Sequence, residues 1–180
     1  MKAYAFLAND SEEVECLMVV DILKRAGIEV DLVSIYDDLE VKTAHDINIR
    51  CDKSIKDINI DDADLIFIPG GLPGANYMRE NEELINILKK QNERGKHIGA
   101  ICAAPYILGD IGLVDDKKAT VYPGFEKHIP NYTKDGVYTD GNITTARGLG
   151  FSIDMGLELL RVLVSEEKSN EIREKIQYEN

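Results

Sequence analysis

The chain has 180 residues, enough for one domain with a substantial core. It carries 33 acidic against 21 basic residues, a formal net charge of −12, which argues against a nucleic-acid footprint and mainly promotes solubility. No apolar stretch approaches membrane-spanning length, and the three cysteines, Cys16, Cys51 and Cys102, form no close pair. The cysteine pattern predicts a reducing cytoplasm, no disulfide framework and no metal site.

Lys2 to Ala8 predicts a buried strand that is too short for a secretory leader. Asn9-Asp10-Ser11 reads as a turn that can cap a helix, and Val14, Leu17, Met18, Ile22 and Arg25 then follow helical spacing until Gly27. Ile28 to Ile35 predicts a second strand. Alternation between Leu39 and Ser54 predicts a pair of short strands. Leu65 to Ile68 is a strand closed by Pro69-Gly70-Gly71-Leu72-Pro73-Gly74, and Glu82 to Arg94 an amphipathic helix. His97 to Ile101 is another strand, and Ala103 to Ile111 the helix after it. Lys118 to Tyr122 and Ile143 to Ala146 read as later strands joined by a loop-rich stretch. Phe151 to Val164 and Ser169 to Gln177 read as the last helices. Strands alternating with helices predict an α/β sandwich, a mostly parallel sheet with helices on both faces and ligands bound beyond the carboxyl ends of its strands.

Cys102 stands out in this order. A short apolar strand ends in small residues, Ala100-Ile101-Cys102-Ala103-Ala104-Pro105, and passes at once into a helix. The spacing mirrors the Gly-x-Ser-x-Gly elbow, which lifts a nucleophile above a sheet and aims the next backbone N–H at its substrate. A helix N-terminus beneath the thiol would favour the thiolate. On this stretch alone, a small buried cysteine at a strand end explains the residues about as well. Two other loops, Asn9 to Glu15 and Pro69 to Gly74, end at the same predicted sheet edge, which favours the functional reading.

Four ordered motifs carry a resemblance that covers nearly the whole chain. They are Leu7-Ala8-Asn9-Asp10-Ser11-Glu12-Glu13-Val14-Glu15, Ile68-Pro69-Gly70-Gly71, Ala100-Ile101-Cys102-Ala103-Ala104-Pro105 and Ala146-Arg147-Gly148-Leu149-Gly150. Together they resemble the ThiJ/PfpI superfamily, in the branch that contains the parkinsonism-associated deglycase. The resemblance implies a flavodoxin-like sandwich of the class I glutamine amidotransferase type, a homodimer, and cofactor-free chemistry on small reactive aldehydes or on glycated amines and thiols. It implies Cys102 as nucleophile and Glu15 as the acid/base beside it. A buried carboxyl next to a sulfur should have a raised pKa and donate a hydrogen bond when protonated. Glu12 and Glu13 read instead as solvated first-turn acids. Gly70 and Gly71 match a glycine pair facing the cysteine, and the amides of Gly71 and Ala103 would form an oxyanion hole.

The chain also departs from the pattern. Ala103 stands where the peptidase branch has histidine, so that branch's Cys-His couple cannot form. Tyr122 stands where closer relatives often carry histidine; it is either a hydrogen-bond donor or an aromatic on the pocket rim. His45 falls where relatives place a basic residue that reaches the partner subunit, and a lone surface histidine is the simpler reading. Arg147 could attract an anion or serve in a structural ion pair. His97 reads as structural, His128 as at most a pocket border, and Cys16 and Cys51 as packing residues, Cys51 near the relatives' dimer interface. The competing function is a peroxide-sensing protein or redox-regulated chaperone acting through oxidation of Cys102 to sulfinic acid. An intracellular cysteine peptidase is weaker because of Ala103.

Overall fold

The computed structural model describes residues 1–179. Its strands are β1 (Lys2–Leu7), β2 (Glu29–Ser34), β3 (Glu40–Lys42), β4 (Asn48–Arg50), β5 (Lys53–Ser54), β6 (Leu65–Ile68), β7 (His97–Ile101), β8 (Lys118–Ala119), β9 (Asn131–Tyr132), β10 (Val137–Asp140) and β11 (Ile143–Ala146). Its α-helices are α1 (Glu13–Arg25), α2 (Gly74–Glu80), α3 (Glu82–Glu93), α4 (Pro105–Asp110), α5 (Ser152–Leu163) and α6 (Glu166–Lys175). Seven strands form one sheet in the order β10-β11-β7-β6-β1-β2-β5. Only β10 runs antiparallel to its neighbour within it. The predicted α/β sandwich with a mostly parallel sheet is the observed fold.

Successive strand side chains point to opposite faces, and here both faces are buried. Tyr4 and Phe6 of β1 and Ile66 and Ile68 of β6 join one core with α2, α3 and α4 residues such as Met78, Leu88 and Ile107. Ala3, Ala5 and Leu7, with Leu65 and Phe67, join a second core beneath α1, α5 and α6, including Ile22, Leu159 and Ile172. Helices α1 and α5 approach closely because residue 156 is glycine: a Cβ there would lie 2.7 Å from Cδ1 of Ile22.

Several local outcomes differ from the sequence expectation. The α1 cap is Glu12, whose side chain accepts from the Val14 amide. Ser11 instead turns back, its hydroxyl oxygen accepting from the Ala8 amide at 3.0 Å. A short helix, α2, starts at Gly74, within the predicted turn. The strand expected over Lys118 to Tyr122 keeps only its first two residues, and the loop-rich stretch after it contains β9 and β10. The helix expected from Ala103 begins at Pro105, because Cys102 to Ala104 are spent in the turn.

The predicted strand pair is the β3–β4 hairpin, which turns at Asp46 with φ +61°. It is tied to the loop after β1 by three bonds. The Asp10 amide donates to the Lys42 carbonyl (2.9 Å), the Lys42 amide to Asn9 Oδ1 (3.0 Å), and the Ala44 amide to the Ser11 carbonyl (3.0 Å). This brings His45 to the start of α1. No helix among the described residues is long and apolar enough to cross a membrane.

Candidate functional site

The parallel register ends β1, β6 and β7 at one edge, with Ala5 beside Phe67 and Ile68 beside Ala100. Strand β11 ends there too, Ala146 lying beside Ile101. Cys102 is the next residue, and it is bent into the left-handed region with φ +62°. That region costs a non-glycine residue about 1–3 kcal/mol and persists only where surrounding contacts enforce it. Here the Cys102 amide donates to the Ala146 carbonyl (2.8 Å), and the Cys102 carbonyl accepts from the Tyr122 amide (2.8 Å). The elbow read from the sequence is thus present in the backbone.

Glu15 reaches the same point from the first turn of α1, and its side chain is buried. Its Oε2 accepts from the Gly70 amide at 2.9 Å, and its carboxyl hydrogen-bonds the Cys102 side chain. Gly70 makes that meeting sterically feasible. A Cβ at position 70 would lie 2.6 Å from the Cys102 Cβ, 2.8 Å from Glu15 Oε2 and 3.1 Å from the Ala103 nitrogen. Gly71 has φ +88°, and a Cβ there would run into the backbone of Asp10 and Glu12. The amides of Ala103 and Gly71 both point at the Cys102 sulfur.

The electrostatics correct one sequence expectation. The thiol is not drawn below its ordinary value: burial, then the Glu15 charge and hydrogen bond, push it up to about 12, against the pull of the two amides. Helix α4 is only six residues long. Glu15 behaves as expected, burial raising it to about 7 against hydrogen bonds from Cys102 and Gly70. The sulfur and the carboxyl therefore compete for a proton. While Glu15 is charged it opposes the thiolate; once Glu15 holds the proton, the same contact stabilises a thiolate.

Cys102, Glu15, Gly71 and Ala103 line an open cavity of about 320 Å³, together with Glu12, Leu72, Tyr122 and Leu149. Tyr122 lies exposed on the rim of this cavity. Arg147 lies outside this cavity. It lines an adjoining groove that shares Tyr122 and Leu149, with its guanidinium 4.9 Å from the Phe151 ring centroid and Nη1 donating to the Lys134 carbonyl at 3.0 Å. Of its two readings, the structural one takes the form of a cation–π contact and a backbone hydrogen bond rather than an ion pair. His45 also stays outside, pairing with Glu13 of its own chain. His128 hydrogen-bonds Asp110 at 2.6 Å and packs on Tyr106 and Phe125. His97 is structural: buried, bonded to Thr144 at 2.8 Å and lowered by burial to about 4. Cys16 and Cys51 are buried and their thiols are raised by burial.

Sequence reasoning passed over Leu72 and Leu149, which are exposed apolar residues on the cavity wall, and it misread Glu12 and Glu13. Glu12 lines the cavity, and Glu13 is buried at 4% exposure. The run of two acids before an amphipathic helix resembles an ordinary solvated first turn; only the hairpin folding over it buries Glu13. A larger cleft of about 500 Å³ lies between β10 and α5–α6, and no cysteine or histidine lines it.

A cysteine at a strained strand-to-helix turn, with a buried carboxyl beside it at the carboxyl edge of a parallel sheet, defines a class of α/β proteins with a cysteine elbow. Comparison with known proteins gives the family: residues 1–162 match the DJ-1/PfpI family, and the chain belongs to it. It is 35% identical to protein dj-1beta of Drosophila melanogaster over 174 residues, 94% of this chain and 93% of that one. It is 30% identical to the Parkinson disease protein 7 homolog of Danio rerio over 178 residues, 96% of this chain and 94% of that one. The solved structure of oxidized Toxoplasma gondii DJ-1 superposes with a TM-score of 0.96 at 34% identity, covering 99% of each chain.

The raised Glu15 value predicts a pH signature. Its pKa rises from 4.5 in the unfolded chain to about 7 in the folded one, so the folded state binds more protons between those values. The Glu15 contribution is therefore full below pH 4.5 and is lost as pH rises through 7. In urea unfolding, wild-type stability relative to Glu15→Gln should fall by about 3 kcal/mol between mildly acidic and mildly alkaline pH. A difference that stays flat with pH would show that Glu15 titrates normally.

Proposed function

We propose that the protein converts small reactive carbonyls such as methylglyoxal, without a cofactor, as a glutathione-independent glyoxalase or as a deglycase acting on the corresponding amine or thiol adducts. The observation that carries this reading is the Glu15–Cys102 contact over Gly70, open to a cavity of about 320 Å³. That space suits a three-carbon aldehyde, and the cavity supplies a nucleophile, an acid/base and backbone donors.

In this mechanism the Cys102 sulfur attacks the aldehyde carbon. The carbonyl π pair moves to oxygen, which takes up the proton shared by sulfur and Glu15, giving a hemithioacetal. The amides of Gly71 and Ala103 serve the developing oxyanion. Glu15, now charged, removes the proton from the carbon bonded to sulfur and returns it to the neighbouring carbonyl carbon, while the hydroxyl proton on the first carbon passes to the oxygen of the second. The product is a lactoyl thioester, which water cleaves to lactate with return of the thiol. A carboxyl with a pKa of about 7 is suited to both directions of transfer near neutral pH. Three unpaired cysteines accord with a reducing cytoplasm as the setting. Cys102→Ser and Glu15→Gln should each lower lactate formation from methylglyoxal by about 100-fold or more. Wild-type turnover no faster than both variants refutes the reading.

A second reading, peroxide sensing through Cys102, is favoured by its partial exposure beside two fully enclosed cysteines and by the likeness to an oxidized relative. Glu15 holding a proton would then hydrogen-bond the sulfinate. Mass spectrometry after mild peroxide should find oxygen on Cys102 well before Cys16 or Cys51; equal rates at all three remove the basis for sensing.

A homodimer accords with an apolar face. Val14 and Leu17, one turn apart on α1, are 42% and 39% exposed, and Ile47 on the attached hairpin is 48% exposed. Sedimentation should give twice the 20.1 kDa chain mass, with Leu17→Arg shifting it towards monomer. A wild-type monomer at micromolar concentration overturns this part.

A further inference from the structure

We propose that the Cys102 cavity is built for α-oxoaldehydes whose keto carbon carries an apolar substituent larger than methyl, an aryl or branched alkyl group, seated between Leu72, Tyr122 and Leu149. This rests on the carbonyl reading above and narrows it to a substrate class. The three side chains line the same cavity as the sulfur. They are 51%, 49% and 47% exposed, among the most exposed large apolar residues of the chain. Apolar residues exposed singly are ordinary, but these three come from separate loops, after β6, β8 and β11, and meet around one nucleophile.

The backbone ties each of them to Cys102. Leu72 follows Gly71, whose amide points at the sulfur. The Tyr122 amide donates to the Cys102 carbonyl at 2.8 Å, and the Cys102 amide donates at 2.8 Å to the carbonyl of Ala146, on the segment that leads to Leu149. A Cβ at Gly148 would lie 3.4 Å from Tyr122 Cδ2, so the ring rests against the backbone just before Leu149. The apolar wall also continues outward. Tyr122 and Leu149 are shared with the adjoining groove, also of about 320 Å³, which runs past Pro123 to Phe151. Its Arg147 is already engaged by the Phe151 ring and the Lys134 carbonyl. A methyl group offers too little surface to cover three side chains of this size. A phenyl ring can stack on Tyr122 and cover the leucines, and each further methylene buried favours binding about fourfold.

Labelling of Cys102 measures this preference without turnover. Phenacyl bromide and bromoacetone are the same α-bromo ketone with a phenyl or a methyl substituent. The sulfur displaces bromide, its proton passes to solvent, and the substituent ends at the same spacing from sulfur as in the hemithioacetal. Rates are followed by mass spectrometry with Cys102→Ser as blank, and each is divided by that reagent's rate with glutathione. Both reagents meet one thiol, so its ionisation cancels in the ratio. Wild type should favour the phenyl reagent at least about 10-fold. In Leu72→Ala combined with Leu149→Ala, with circular dichroism confirming the fold, the preference should fall below about threefold. A wild-type ratio near one, or a preference unchanged in the double variant, overturns the proposal. Lactate formation from methylglyoxal tests the carbonyl reading separately, and its absence counts against that reading while the labelling ratio still decides the seat for the substituent.

Discussion

Everything at this site depends on the absence of one side chain. Gly70 lets the Cys102 Cβ, the Glu15 carboxyl and the Ala103 amide converge on the space where a Cβ would otherwise sit, with contacts of 2.6, 2.8 and 3.1 Å to that position. Its own amide also donates to Glu15 at 2.9 Å, fixing the carboxyl against the thiol. The contact brings together two groups that both prefer neutrality when buried. Burial raises both, and the Glu15 charge raises the thiol further. Near neutral pH the sulfur keeps its proton while Glu15 is only partly protonated, and the proposed carbonyl addition and proton transfer would draw on that state.

The sheet exists, for this purpose, to bring three loops to one edge. Strand β7 lies inside the sheet, flanked by β6 and β11, so the backbone leaving it at Cys102 is held on both sides. Bonds to Ala146 and from Tyr122 then hold the residue at φ +62°. The helix carrying Glu15 follows β1, which lies beyond β6 from β7, and it packs closely on α5 at Gly156. The hairpin that closes over the start of this helix buries Glu13 and sets His45 against it.

The strands and long helices could be read from the sequence because burial on two faces leaves unbroken apolar runs, such as Leu65 to Ile68, and amphipathic periods, such as Glu82 to Glu93. The elbow was legible because small residues around Cys102 and glycines at 70 and 71 answer local steric demands. What escaped was set by distant contacts. Helix α2 begins inside a Pro-Gly-rich turn that local propensity assigns to a loop. Glu13 looks solvated until a hairpin more than two dozen residues later covers it. The thiol looked activated by a following helix, whereas that helix starts two residues late and the burial around Cys102 dominates. Leu149 on the cavity wall left no periodic signal at all.

Membership of the DJ-1/PfpI family accounts for the architecture, and the proposed chemistry rests on the carboxyl–thiol pair. The most direct test follows the Glu15 proton itself. Infrared spectra of the protein labelled with ¹³C at glutamate carboxyls, recorded against pH, will show the protonated Glu15 band as the one missing from Glu15→Gln. The account predicts that this band persists in mildly acidic solution, where ordinary glutamates are fully ionised, and fades only at pH about 7 or above. Its complete loss together with the other glutamates, near their ordinary 4.5, would contradict it.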